Sequence, residues 1–249
     1  MGGRTDGPMG GTWVRRWSTV AATVFLSVGP TVRPSVGQVG REPGQSPFWD
    51  IHRGAGPVLF AGHLGGDRGK AGVGPSNAFG YGLRYEIGMG RATLVQFSAA
   101  YLRGDRFIVN PALRDTAQDR RYGPVDTDLL STEVALQLRL TGGKTWHGFA
   151  PYMGAGVGMA FDLRAPGDTT QSDYKFGRKL TFSGMTGLRW HATTKVTVQL
   201  DARAVFWRLK YPPSFHATAP DGSRVIPIQE PLTDWTMHPW LSFGIGWIF

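Results

Sequence analysis

The sequence predicts an all-β protein, an eight-stranded antiparallel up-and-down transmembrane β-barrel, and three observations carry that prediction. Eight segments alternate large apolar residues with small or polar ones at a period of two, which gives each strand two unlike faces. The links between segments are alternately short and long, so tight turns gather on one rim and long loops on the other. No apolar run in the chain reaches the roughly 20 residues that a transmembrane helix needs. Composition agrees: Gly 36, Pro 17 and Trp 9 suit many short strands and turns better than a helix bundle. With Cys 0, a disulfide framework, a thiolate metal site, a cysteine nucleophile and a lipidated cysteine are all excluded.

The first element is an address. In "WVRRWSTVAATVFLSVG", residues 13–29, Arg15 and Arg16 precede an apolar stretch, and the small residues Ser35 and Gly37 follow. This is the layout of a secretory signal peptide. The expected organisation is therefore residues 1–37 as signal, cut near Gly37, residues 38–54 as a periplasmic N-terminal segment, and residues 55–249 as the barrel. The formal charge of +9 falls to +6 without the first 37 residues, which hold four arginines and one aspartate. With no Lys/Arg run, nucleic acid is not an expected partner.

The strands follow in order. The first, Val58 to Leu64, sets Val58, Phe60 and Leu64, as its apolar face, against Ala61 and His63. In the second, Phe79, Tyr81, Leu83, Tyr85 and Ile87 oppose Gly80, Gly82, Arg84 and Glu86. The third places Val95, Phe97, Ala99 and Tyr101 against Gln96, Ser98 and Ala100; the fourth, Val134, Leu136, Leu138 and Leu140 against Glu133, Ala135, Gln137 and Arg139. The fifth alternates Met153, Ala155, Val157, Met159 and Phe161 with Gly154, Gly156, Gly158 and Ala160. In the sixth, Leu180, Phe182, Leu188 and Trp190 oppose Lys179, Thr181, Ser183 and Arg189. The seventh sets Val196, Val198, Leu200, Ala202, Ala204 and Phe206 against Thr197, Gln199, Asp201, Arg203 and Val205. The last alternates Leu241, Phe243, Ile245, Trp247 and Phe249 with Ser242, Gly244 and Gly246.

Tight turns are expected at residues 88–90, 141–146 and 191–194, and long loops at 65–76, 104–126, 164–174 and 211–233. Parity sharpens this. The polar face is even-numbered in strands two and three and odd-numbered in strands six and seven, so those two turns must hold an odd number of residues. The turn from strand four to strand five must hold an even number, because the parity switches there.

A soluble ligand-binding barrel of the lipocalin type would also alternate. Four features favour hydrocarbon outside. The polar faces mix small residues with isolated charges of both signs, as a narrow eight-stranded interior requires. Long loops share one side. Aromatics collect at strand ends: Trp146, Phe149, Trp190, Trp247 and Phe249 at the short-turn rim, Tyr101, Phe161, Phe206, Tyr211 and Trp235 toward the loops. The Gly-x-Trp of lipocalins is missing from the first strand.

With its signal layout, its eight segments and the ending "FGIGWIF", the chain resembles the small outer-membrane β-barrels of the OmpA-like and OmpW-like family, across residues 55–249. The resemblance implies an outer-membrane location and lipid as the surroundings. It also implies that Phe243, Ile245, Trp247 and Phe249 form the C-terminal signal read by the outer-membrane insertion machinery. No peptidoglycan-binding domain follows the barrel, so wall anchoring is not implied.

Inward parity collects Arg84, Glu86, Glu133, Arg139, Lys179, Arg189, Asp201 and Arg203 into an expected charge network that closes the tube, because buried charges must be paired. Above it, Leu102, Met185, Val205, Trp207 and Trp240 are candidates to line a less polar upper cavity for a small hydrophobic ligand. Arg120 and Arg121 are candidates for contact with lipopolysaccharide phosphates. His63, His216 and His238 are the histidines that could meet at the loop rim, but neither catalytic pairing nor metal-ligand spacing is present, and no enzyme activity, cofactor or metal is expected. The expected function is a monomeric outer-membrane barrel with a structural or surface-interaction role; the alternative is binding or passage of a small hydrophobic compound.

Overall fold

Period-two alternation becomes a ring of paired strands in the computed structural model, which describes residues 46–51, 54–164 and 173–249. Among the described residues the strands are β1 (Phe48–Asp50), β2 (Ala55–Leu64), β3 (Ser76–Gly88), β4 (Thr93–Val109), β5 (Arg121–Arg139), β6 (Lys144–Trp146), β7 (Phe149–Arg164), β8 (Arg178–His191), β9 (Val196–Lys210) and β10 (Thr233–Trp247). Eight of them, all but β1 and β6, pair antiparallel in the order β2-β3-β4-β5-β7-β8-β9-β10. β10 then pairs with β2, from Trp240↔Leu64 to Gly246↔Val58, and closes the barrel. The signal segment and the first part of the N-terminal segment lie outside the described residues.

The stagger of the ring follows from its register. From Ala55, successive partners run through Ile87, Val95, Leu136, Ala155, Gly184, Ala204 and Pro239. The Pro239 carbonyl accepts from the Gly65 N–H at 2.8 Å, ten residues on from Ala55 and one past the end of β2. With eight strands, a shear of that size tilts them roughly 40° from the axis. Turn parity agrees with the alternation. Five residues separate the partners Gly88↔Leu94 and five separate His191↔Thr197, while twelve separate Arg139↔Tyr152.

The two faces are chemically opposite. Leu200 is 59% exposed on the outer wall, and the next residue, Asp201, is 0% exposed inside. The outer wall carries Phe79, Tyr81, Leu83, Leu136, Leu138, Met153, Val157, Phe243 and Ile245, all exposed. Monomeric proteins in water rarely expose apolar patches beyond a few hundred Å². On β3, the apolar outer run from Phe79 to Ile87, at ~3.3 Å rise per residue and with this tilt, stands on the order of 20–25 Å tall, which matches the apolar band of a membrane-spanning barrel. Aromatics border it. Trp146, Trp190, Trp247 and Phe249 are exposed at the short-turn rim, with Phe149 stacked on Trp190; Phe206 and Trp235 are exposed toward the loops, with Trp235 against Phe182. Tyr211 does not belong to this girdle, because it turns inward and is buried.

β2 overturns the sequence expectation about its faces. Val58, Phe60 and Leu64 point inward and are buried, while Leu59 and His63 face out. The reason is volume. Phe60 registers with Gly82 on one side and Gly244 on the other, and Val58 with Gly246. A Cβ added at Gly82 would stand 2.9 Å from Phe60 Cζ. Apolar bulk on one strand therefore fills what glycines on its neighbours leave empty, and polarity alone misreads such a strand.

At the loop rim the strands run further than expected. β4 and β5 stay paired up to Val109↔Arg121, so residues 104–109 and 121–126, expected in a loop, are hairpin. Outward charges such as Arg103 and Asp126, 2.8 Å apart, keep this extension soluble while the backbone ladder continues. At the opposite rim, residues 141–146 are more than a tight turn. Lys144–Trp146 pairs with Phe48–Asp50, so part of the N-terminal segment is a strand added beside the short turns.

Candidate functional site

Inside the wall, side chains stack in tiers that leave little room for solvent. Asp201 of β9 is the hub of the middle tier. Its Oδ2 accepts from Arg84 Nη1 at 2.8 Å and from the Tyr152 hydroxyl at 2.7 Å; its Oδ1 accepts from Arg203 Nε at 3.0 Å. Arg84 also donates to Ser242 Oγ at 2.7 Å and lies 4.0 Å over the Phe60 ring. Arg203 reaches across to Glu133 of β5. Five strands thus meet at one carboxylate and its partners.

The tier nearer the short turns is built on Glu86. Arg189 Nη2 donates to its Oε1 at 2.7 Å, and Gln199 Nε2 lies 3.2 Å from both of its oxygens. Gln137 bonds Gln96 and accepts from Arg189 at 3.4 Å, and Arg203 donates to Gln96 at 3.4 Å, which joins the two tiers. Arg139 borders a cavity of about 20 Å³ together with Glu86 and Arg189. Room for this crowd comes from missing side chains. A Cβ at Gly187 would lie 2.5 Å from the Tyr152 ring, and one at Gly156 would lie 2.8 Å from the Glu133 carboxyl carbon.

Of the eight charges placed inward by parity, the structure joins Arg84, Glu86, Glu133, Arg189, Asp201 and Arg203 through ion pairs. Arg139 sits beside the lower tier. Lys179 does not join: it is half-buried at the loop end, 5.6 Å over the Phe176 ring, because β8 begins at Arg178 and carries it above the network. Tyr152, Ser242 and the glutamines at 96, 137 and 199 are members that charge counting missed. The glutamines stood at inward parity all along, and a neutral amide can both donate to a carboxylate and accept from a guanidinium.

The upper interior holds buried apolar side chains. Leu102, Val205, Trp207 and Trp240 are buried in one apolar cluster with Phe60, Leu64, Leu129, Phe176 and Leu209. Trp207 stacks on His238 with ring centroids 3.9 Å apart. Met185 lies lower, its sulfur 3.5 Å from Gln137 Nε2. The residues expected to line a cavity instead pack against one another and against loop aromatics. Phe215 and Ile226, from the loop between β9 and β10, are buried in the same cluster with Tyr174 and Tyr211. The three histidines do not converge: His63 faces outward, His216 meets the Glu230 carbonyl at 3.1 Å, and His238 is inside. Among the described residues no group of three or more His, Asp or Glu is placed to hold a metal.

Above the strands, loops are tied to one another. The Asp221 carboxylate accepts from the Asp115 N–H at 2.8 Å and from the Ser223 N–H and hydroxyl at 3.0 and 2.6 Å. These bonds pull its pKa from 3.8 to about 2. A folded-state pKa below the unfolded one means that the tie is complete above about pH 4 and is lost as the pH falls through about 2. The Asp115 amide resonance is therefore expected to titrate with a midpoint near pH 2, and a midpoint near 4 would show that the tie does not exist in solution. Nearby, Lys70 Nζ pairs with Glu230 at 2.8 Å, which raises its pKa, and burial pushes the Tyr211 phenol up to about 12.

At the C-terminal strand, Phe243, Ile245 and Trp247 project outward while Ser242, Gly244 and Gly246 face in. The Phe249 N–H bonds the Ala55 carbonyl at 3.1 Å, and its ring is exposed.

No protein-family model matches the chain, and no curated protein matches it in sequence. Solved structures that it resembles include the outer membrane protein OprG from Pseudomonas aeruginosa, at TM-score 0.48 and 14% identity over 80% of this chain and 98% of that one. Neisserial surface protein A gives 0.45 and 14% over 82% and 98%. Ail, the attachment invasion locus protein of Yersinia pestis, gives 0.37 and 13% over 80% and 100%.

Proposed function

We propose that this chain is an integral outer-membrane barrel whose closed interior makes it a rigid mount for the interlocked loops on its exterior rim, with a structural or surface-interaction role. The observation that carries the reading is the succession of buried side chains along the tube, from the Glu86 tier through the Asp201 tier to the Trp207 cluster. Eight strands enclose a space narrow enough for side chains alone to fill, which supports the closed reading. Surrounding lipid meets the apolar wall, and the outward zigzag of Phe243, Ile245 and Trp247 is the face offered to the insertion machinery. The chain acts as a monomer, and its signal segment directs it to the envelope.

The test is single-channel recording of the full-length protein folded into planar bilayers. No unitary conductance above leak is expected. Discrete, reproducible openings by the unmodified protein would overturn the closed-mount reading, and fractionation of the protein with the inner membrane would overturn the location.

A further inference from the structure

We propose that a cleft between the exterior loops is a binding site for a sugar carrying clustered phosphate or sulfate esters. The inference rests on the reading above only in taking this rim as the exterior one. The cleft has a volume of about 300 Å³ and lies among the β2–β3, β4–β5 and β9–β10 loops, where Lys70, Arg120, Arg121 and Arg224 line it against, among the described residues, one carboxylate, Asp115. A second concavity, along residues 66–72, shares Lys70, Ala71 and Arg121 with it and is lined also by Asp67 and Arg68.

The four cations are not equivalent. Arg120 is buried and held, with Nη1 2.6 Å from Ser223 Oγ and 3.1 Å from Asp115. Lys70 is engaged with Glu230. Arg121 and Arg224 are exposed and, among the described residues, have no carboxylate within ion-pair distance. Arg121 is nonetheless positioned, because its guanidinium stacks 3.9 Å over the Phe107 ring. Arg224 Nε donates to Thr218 Oγ1 at 3.0 Å, which leaves its terminal nitrogens and the Arg121 fork to a ligand; two such forks beside two anchored cations favour an anion with several oxygens, since a guanidinium binds phosphate or sulfate bidentately. The Asp115–Asp221 and Arg120–Ser223 bonds tie two of the loops together, so less ordering is left to be done on binding.

The remaining lining selects among anions. Ala71, Ala117, Val109 and Val225 give small walls, and Gln118 adds an amide for hydroxyl groups. Among the described residues no aromatic side chain lines the cleft, so it lacks the stacking platform that single-stranded nucleic acid uses. The volume is at the lower end of small-ligand sites, about 300–1,000 Å³, and suits one or two charged sugar rings.

The experiment titrates the full-length barrel, folded in detergent and checked by its heat-modifiable gel mobility, with fluorescent saccharides followed by anisotropy. One arm uses a deacylated, phosphorylated lipopolysaccharide core, the other a heparin tetrasaccharide, and polyglutamate of equal charge is the comparison. Saturable binding in at least one saccharide arm, weakened by salt, is expected, and the stronger arm identifies the source. Arg121→Ala with Arg224→Ala is expected to lower that affinity at least tenfold. Arg178→Ala with Lys210→Ala removes the same charge elsewhere on the rim and is expected to change it less than twofold. Equal losses in the two double variants, polyglutamate binding as tightly, or no saturable binding in either arm by folded barrel would each overturn the proposal. Failure of the folded protein to enter lipid bilayers would count against the outer-membrane reading instead, and leave the cleft to its own result.

Discussion

An Asp201→Ala barrel is expected to unfold with about 3–5 kcal/mol less free energy than the unmodified protein, the scale for removing one partner of a buried charge pair. The loss is large because three groups depend on that carboxylate. Arg84 would keep Ser242 and the Phe60 ring, Arg203 would keep Glu133 and a long bond to Gln96, and the Tyr152 hydroxyl would lose its acceptor. A second variant separates charge from packing. Adding Arg84→Met to Asp201→Asn removes both members of one pair and keeps their approximate shapes, so it should recover a large part of the loss. The measurement is urea titration of the folded fraction in lipid vesicles, read from gel mobility. A cost below about 1 kcal/mol for Asp201→Ala would mean that water reaches the tier and that the tube is not dry.

The strand count, the parity of the turns and the outward face of seven strands were legible in the sequence because lipid outside and a narrow tube inside impose opposite demands on alternate residues. β2 was misread for the same physical reason that makes it fit: Phe60 and Val58 are apolar, and alternation records polarity and not the space left by Gly82, Gly244 and Gly246. The charged members of the site were legible through inward parity, but their pairing was not. Arg84 pairs with Asp201 and not with Glu86, two residues along its own strand, because strand tilt brings positions of different sequence height to one level. The upper interior was illegible for a different reason. Leu102, Val205, Trp207 and Trp240 leave a cavity only if nothing descends on them, and the side chains that fill it, Phe176 and Phe215, come from segments with no periodicity to read.

Leu200→Arg tests the outer wall in the way that Asp201→Ala tests the inside, one residue away on the same strand. Leu200 registers with Phe243 on one side and Leu188 on the other, between the girdle of Trp190 and Trp247 and that of Phe206 and Trp235. An arginine near the bilayer midplane of such a barrel costs about 2–4 kcal/mol, falling to about 0–1 kcal/mol near the interface. Tyr122→Arg supplies the contrast, since Tyr122 is equally exposed but lies on the β4–β5 extension, paired with Ile108 above the band. Refolding into vesicles should therefore be impaired by Leu200→Arg and almost untouched by Tyr122→Arg. Were the wall to face water, both positions would be ordinary surface and both substitutions would fall within about 0.5 kcal/mol of neutral. The difference between the two variants, and not the size of either, therefore reports whether hydrocarbon surrounds the barrel.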